Sequence, residues 1–146
     1  MKTFKGRVIA KGNWEGEAIV SHQGFNTLAT TQKCLMRGLP NIIANDQNNP
    51  DLYKKNITGK ALCLPITIGS TTGGLLIQTS CAIKNNPACF LFSESIDSLA
   101  ASGIVLARVW ENSDVIAIDQ LGKEFLETVK TGDKIKVSED GTVTIL

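Results

Sequence analysis

Long apolar runs and any imbalance of charge are both missing from this 146-residue chain. No stretch approaches the roughly 20 apolar residues that a bilayer span requires. The N-terminal MKTFKGRVIAKG is broken by Lys5, Gly6 and Arg7 before a signal-like apolar core develops, so the sequence reads as cytoplasmic. Its 15 basic and 14 acidic residues are interspersed and leave a net charge of +1, which gives nucleic acid or an anionic membrane no electrostatic footprint. Histidine is nearly absent: His22 stands alone. The four cysteines, Cys34, Cys63, Cys81 and Cys89, contain no C-x-x-C pair, so neither a zinc site nor a cluster-binding motif is visible. In a reducing compartment they read as buried thiols acting as small hydrophobes.

What is present is enough apolar residue, 42% of the chain, for one core in a domain of ordinary size. TFKGRVIAKG and EAIVS are rich in β-branched residues and predict two early strands. Residues 24–49 are polar and irregular and read as a long loop with a short strand at 41–44; loops of that length are usually functional. ITGKALCLPI and ACFLF are apolar on both faces, as centrally placed strands are, and DVIAID is a third apolar strand.

Between the first two of these strands, Leu75, Leu76, Thr79, Ala82 and Ile83 fall near helical spacing until KNNP stops them. SIDSLAASGIVLARVW puts Ile96, Leu99 and Ala100 on one helical face, with an interruption expected at Gly103. The tail, GDKIKVSEDGTVTIL, alternates about Asp140–Gly141 and predicts a hairpin closed by a two-residue turn. Strands alternating with helices in the middle and hairpins at both ends imply an α/β sandwich with a partly parallel central sheet and a C-terminal β-hairpin.

The stretch with most chemistry in it is LPITIGSTTGGLLIQ, residues 64–78. In a strand, turn and helix arrangement, the first amides of the helix lack internal partners and the positive end of its dipole faces the turn. Gly69 permits a sharp bend, whereas Gly73 and Gly74 each cost roughly 1 kcal/mol inside a helix. Two readings stand side by side. Ser70 or Thr71 is an N-cap, with the glycines relieving crowding against a neighbouring strand, or the turn is a site that something approaches closely. It is not a Walker loop, because the lysine is missing and the spacing differs. Nor is it a hydrolase elbow, since G-x-S-x-G is absent and the lone histidine precedes the serine.

GNWEGEAIVS at 12–21, NITGKALCLPITIGSTTGG at 56–74, NPACFLFSESIDSLAASGIVLA at 86–107 and VKTGDKIKVSEDGTVTIL at 129–146 resemble the small subunit of the aconitase X family. The resemblance spans nearly the whole chain and is most specific at Gly69–Ser70. It implies a swivelling β/β/α domain that closes over an active site carried mainly by a separate large subunit, which holds an iron–sulfur cluster; no cofactor is expected in this chain itself. It further implies dehydration of a small hydroxy acid, with Ser70 as proton acceptor and Gly69, Thr71 and Thr72 lining the substrate. A serine can take a proton from carbon only where amides and cations stabilise its alkoxide and water is excluded. Closure of a mobile subunit supplies that exclusion, and the partner supplies the cations.

The chain departs from that family in two places. Many members carry Arg or Lys before Gly-Ser, where this chain has Ile68, and Gly-Gly-x-Asp in the early loop, where it has SHQGFNTLATTQ. FLFSES and ARVWENSDVIAID are closer to the enzymes of cis-3-hydroxy-L-proline, so that substrate type is expected ahead of mevalonate 5-phosphate. Loss of a basic residue also weakens a dianion's binding more than a carboxylate's. Two rival functions follow from the same fold. One is a silent binding or regulatory subunit, for which Ile68 speaks. The other is a phosphohistidine carrier, which needs a histidine at a helix start and finds only His22, with no helix expected nearby. His22 reads as solvated, Trp14 and Trp110 as packed, Arg37 and Arg108 as solvated, and Glu94 and Asp97 as capping residues.

Overall fold

The computed structural model describes residues 1–69 and 71–146. The chain runs through β1 (Lys2–Lys5), β2 (Arg7–Ala10), β3 (Trp14–Val20), β4 (Phe25–Asn26), α1 (Thr27–Met36), β5 (Ala61–Leu64) and β6 (Thr67–Ile68). It continues through α2 (Gly73–Ile83), β7 (Cys89–Phe92), α3 (Ser98–Trp110), β8 (Ile116–Asp119), α4 (Lys123–Thr128), β9 (Lys134–Val137) and β10 (Thr142–Ile145).

Eight strands form one sheet in the order β1-β10-β9-β3-β5-β7-β8-β2. Its centre, β3-β5-β7-β8, is parallel, and the flanking pairs are antiparallel. β3 is shared: Trp14–Glu17 pair with β9 and Ala18–Val20 with β5. Every residue of β5, β7 and β8 is buried, as parallel strands covered on both faces must be. Alternation then splits the core. Leu62, Leu64, Phe90, Phe92 and Ala117 pack toward the helices with Cys34, Ile77 and Ile104. Ala61, Cys63, Cys89, Leu91 and Ile118 pack toward α4, β9 and β10. The result is the expected β/β/α sandwich with a partly parallel sheet.

Four expectations are corrected. The loop at 24–49 contains α1, whose buried residues Thr27, Thr30, Thr31, Cys34 and Leu35 keep helical spacing; threonine in place of leucine hid the stripe. The strand at 41–44 reduces to a single bridge between Ile43 and Asn56.

α3 runs unbroken through Gly103. A Cβ on Gly103 would lie 2.3 Å from the Gly74 carbonyl oxygen, and one on Gly74 would lie 2.3 Å from that of Leu99. The two glycines therefore let α2 and α3 cross backbone to backbone, and helix packing against α3, not a neighbouring strand, accounts for Gly74.

The C-terminal hairpin is present, but Ser138 N–H donates to the Thr142 carbonyl across it at 2.9 Å. Glu139, Asp140 and Gly141 thus make a three-residue loop, with only Gly141 left-handed among them (φ +92°).

Candidate functional site

The parallel strands β5 and β7 deliver the chain to one end of the sheet, where α1, α2 and α3 all begin. Between them lies a cleft of about 310 Å³. Thr27 of α1, Gly73 and Gly74 of α2, and Asp97, Leu99 and Ala100 at the start of α3 form its walls. Thr67, Ile68 and Gly69 of β6 and the following turn complete it.

Each helix start has a local cause. Asn26 caps α1, its Oδ1 accepting from Ala29 N–H at 3.1 Å, and Asp97 caps α3, its Oδ2 accepting from Ala100 N–H at 3.0 Å. Thr72 occupies the N-cap position of α2 with helical backbone and makes no side-chain cap bond. Three helix N-termini therefore face one cavity, a field that favours an anion. Among the described residues no lysine, arginine or histidine lines it, and the one titratable side chain that does is Asp97. Both carboxylate oxygens of Asp97 are engaged, since Oδ1 accepts the Thr67 hydroxyl.

Of the site residues taken from the resemblance, Gly69 lines the cleft with φ +98°, and a Cβ there would meet the Asn26 amide at 2.8 Å. Left-handed backbone and crowding together require glycine. Thr71 and Thr72 are exposed on the turn and do not line the cleft. Ser70 lies outside the described residues. Ile68 is half-exposed and stands over Gly24, where a Cβ would be 2.7 Å from the Ile68 Cγ2. It gives the mouth an apolar wall. Thr27, Thr67 and Asp97 were not assigned to the site from sequence; only Asp97 carried a signal, as a cap.

Other side chains behave as follows. His22 is exposed and its Nδ1 lies 3.1 Å from the Asp51 carboxylate. The expectation that no helix begins near it fails, because α1 starts at Thr27, yet His22 does not line the cleft. Trp14 packs half-buried against Gly16 and the β-side core, whereas Trp110 is 72% exposed, contrary to expectation. Arg108 is half-buried and donates to the Val115 carbonyl at 3.1 Å rather than being solvated. Glu94 lies ahead of the α3 cap and does not cap it.

All four cysteines are free and buried. Burial pushes the Cys63 and Cys89 thiols up, which opposes the thiolate that a cluster iron requires. Among the described residues no three His, Cys, Asp or Glu side chains gather as metal ligands. Nor is any helix among them long and apolar enough to cross a membrane.

Residues 3–145 match the aconitase X swivel domain. This chain belongs to that family. The swivel domain is 33% identical over 144 residues to the phosphomevalonate dehydratase small subunit of Methanocaldococcus jannaschii, covering 98% of this chain and 97% of that one. It is 27% identical to the subunit of the same name from Methanosarcina mazei, covering 98% and 90%. The crystal structure of Thermococcus kodakaraensis aconitase X in its holo form superposes with a TM-score of 0.82 at 26% identity, covering 100% and 99%.

The preference for a hydroxyproline substrate finds no support among these relatives. Its cues were misplaced: ARVWENSDVIAID runs from the far end of α3 into β8, and FLFSES is the end of β7 and the loop after it. Both report packing, because neither supplies a wall of the cleft.

Proposed function

We propose that this swivel domain is the small subunit of a two-subunit dehydratase acting on a phosphorylated hydroxy acid of the mevalonate 5-phosphate type. The observation that carries the reading is the end-to-end similarity to small subunits of phosphomevalonate dehydratases. The cleft supports it. Three helix N-termini favour an anion there, while the absence of a lining cation among the described residues leaves a dianion's charge to be met by a second polypeptide. The iron–sulfur cluster belongs to that large subunit, because the thiols here are sealed in the core.

In this reading Ser70 takes a proton from a substrate carbon, the hydroxyl on the neighbouring carbon departs as hydroxide, leaving a double bond, and the proton held by Ser70 passes to that hydroxide to complete the water. The amides opening α2 and the partner's cations hold the Ser70 alkoxide before it takes the proton, and closure of the swivel domain excludes solvent. Gly69 admits the substrate close to the backbone, and Thr71 and Thr72 lie on the exposed lip where a closed partner would press them toward it. Ile68 contributes an apolar wall, suited to the methylene chain that separates a phosphate from the reacting carbons.

The test is to reconstitute this chain with its large subunit, iron loaded, and follow alkene formation by NMR from mevalonate 5-phosphate and from cis-3-hydroxy-L-proline. Turnover of the phosphorylated acid alone is expected. Turnover of the proline alone, or of neither, would overturn the substrate assignment.

A further inference from the structure

We infer that Asp97 is a positioning residue for the reaction, acting through Thr67 to hold the turn that carries Gly69 and Ser70. This rests on the functional reading above, in which residue 70 meets the substrate.

The strand that leads into the turn has little hold of its own. β6 is two residues long and, among the described residues, pairs only with the two-residue β4. Beyond Phe25 N–H donating to the Ile66 carbonyl at 2.8 Å, its cross-link to the helical layer is the Thr67 hydroxyl donating to Asp97 Oδ1. The other oxygen of the same carboxylate receives Ala100 N–H and starts α3. One side chain thus ties the strand before the turn to the helix that forms the opposite wall of the cleft.

The ground beneath Asp97 is firm. Ile96 N–H donates to Asp119 Oδ2 at 2.8 Å. Asp119 is fully buried and is held by Arg7 through Nε at 2.9 Å and Nη2 at 2.7 Å. The loop ahead of Asp97 is pinned on both sides, Ser93 N–H to the Leu64 carbonyl and Gln120 N–H to the Glu94 carbonyl, each at 3.0 Å. α3 in turn packs directly on α2, where Gly74 and Gly103 meet backbone to backbone. A displacement of the turn is therefore resisted by a continuous path from Arg7 to Thr67, with Asp97 as its last link.

A capping role alone does not require a carboxylate here, since asparagine caps helices as well as aspartate does. In a cavity whose field favours an anion, a fixed negative charge is a cost to substrate binding. What the carboxylate adds is a second acceptor, facing the Thr67 hydroxyl, while the first serves α3.

Thr67→Val separates the two roles, because it removes the hydroxyl, suits a strand, and leaves the α3 cap intact. Misplacement of reacting groups by about 1 Å costs as much as 10²-fold, so in the reconstituted enzyme kcat should fall by roughly 10-fold or more with KM little changed. Thr67→Ser should restore it, and Asp97→Ala combined with Thr67→Val should lose no more kcat than the larger single change.

In the full chain by itself, the Gly69 and Gly73 amide resonances should move in Thr67→Val and return in Thr67→Ser. Unmoved resonances, an unchanged kcat, or a change confined to KM or to thermal stability would overturn the proposal. If the wild-type pair dehydrates neither substrate, the functional reading fails, and the amide resonances still decide whether Asp97 and Thr67 hold the turn.

Discussion

The two faces of the parallel strands are buried to the same depth but are made of different material. On the β side, Phe125, Ile135, Val137 and Val143 are fully buried and close against Ala61, Cys63 and Leu91, with Phe4 edge-on to Phe125 at 5.4 Å. On the helix side, the layer is built partly from Thr27, Thr30 and Thr31 and from the Gly74–Gly103 crossing. Bulk fills both faces, since Phe25, Phe90 and Phe92 are buried on the helix side as well. At the helix starts, however, small residues let three helices begin close together and leave a cleft between their ends. The β side should therefore carry stability alone, and the helix side should carry both stability and the site.

Substitutions can break that division. Phe125→Ala should cost the most, about 3–5 kcal/mol, for deletion of a large buried ring. Urea unfolding would register the loss, while turnover per folded molecule in the reconstituted enzyme stays unchanged. Gly103→Ala should cost about 1–3 kcal/mol, because its methyl group would fall 2.3 Å from the Gly74 carbonyl oxygen. Since α2 must shift to admit it, turnover should fall as well; full turnover in this variant would erase the distinction between the faces. Asn26→Ala, which removes the α1 cap, should cost about 1 kcal/mol by the same urea measurement.

The smallest effect belongs to the hairpin. Hydrogen bonds from Thr142 hold the exposed Asp140 carboxyl below its ordinary value of 3.8. A group whose pKa is lower folded than unfolded stabilises above the unfolded value and loses that contribution as pH falls through the folded one. Asp140→Asn should therefore lower the melting temperature slightly at neutral pH, and the gap from wild type should close below about pH 3.8. A gap of constant size from pH 7 to pH 2 would count against this.

The same contrast explains what could be read from the residues alone. ALCL, CFLF and the IAI that opens β8 are uniformly apolar and announced buried parallel strands, and KIKV and TVTI alternate about a glycine turn. α1 escaped notice because its inward stripe is threonine, which resembles loop composition, although Asn26 ahead of it has the chemistry of a cap. α3 looked broken because a glycine in a helix reads as an interruption until the opposing glycine is known.

At the site, Gly69 announced itself through turn chemistry. Thr27 and Thr67 had no signal, since nothing local distinguishes a hydroxyl aimed into a cleft from one in a strand or helix. Asp97 was legible as a cap and illegible as a wall, because the second acceptor it offers depends on a strand 30 residues away.

The account turns on the residue that follows Gly69. In the reconstituted pair, Ser70→Ala should lower kcat by at least about 10²-fold, the lower end of what a positioned base supplies, while gel filtration shows the two subunits assembled as in wild type. An assembled variant that keeps wild-type kcat would contradict it.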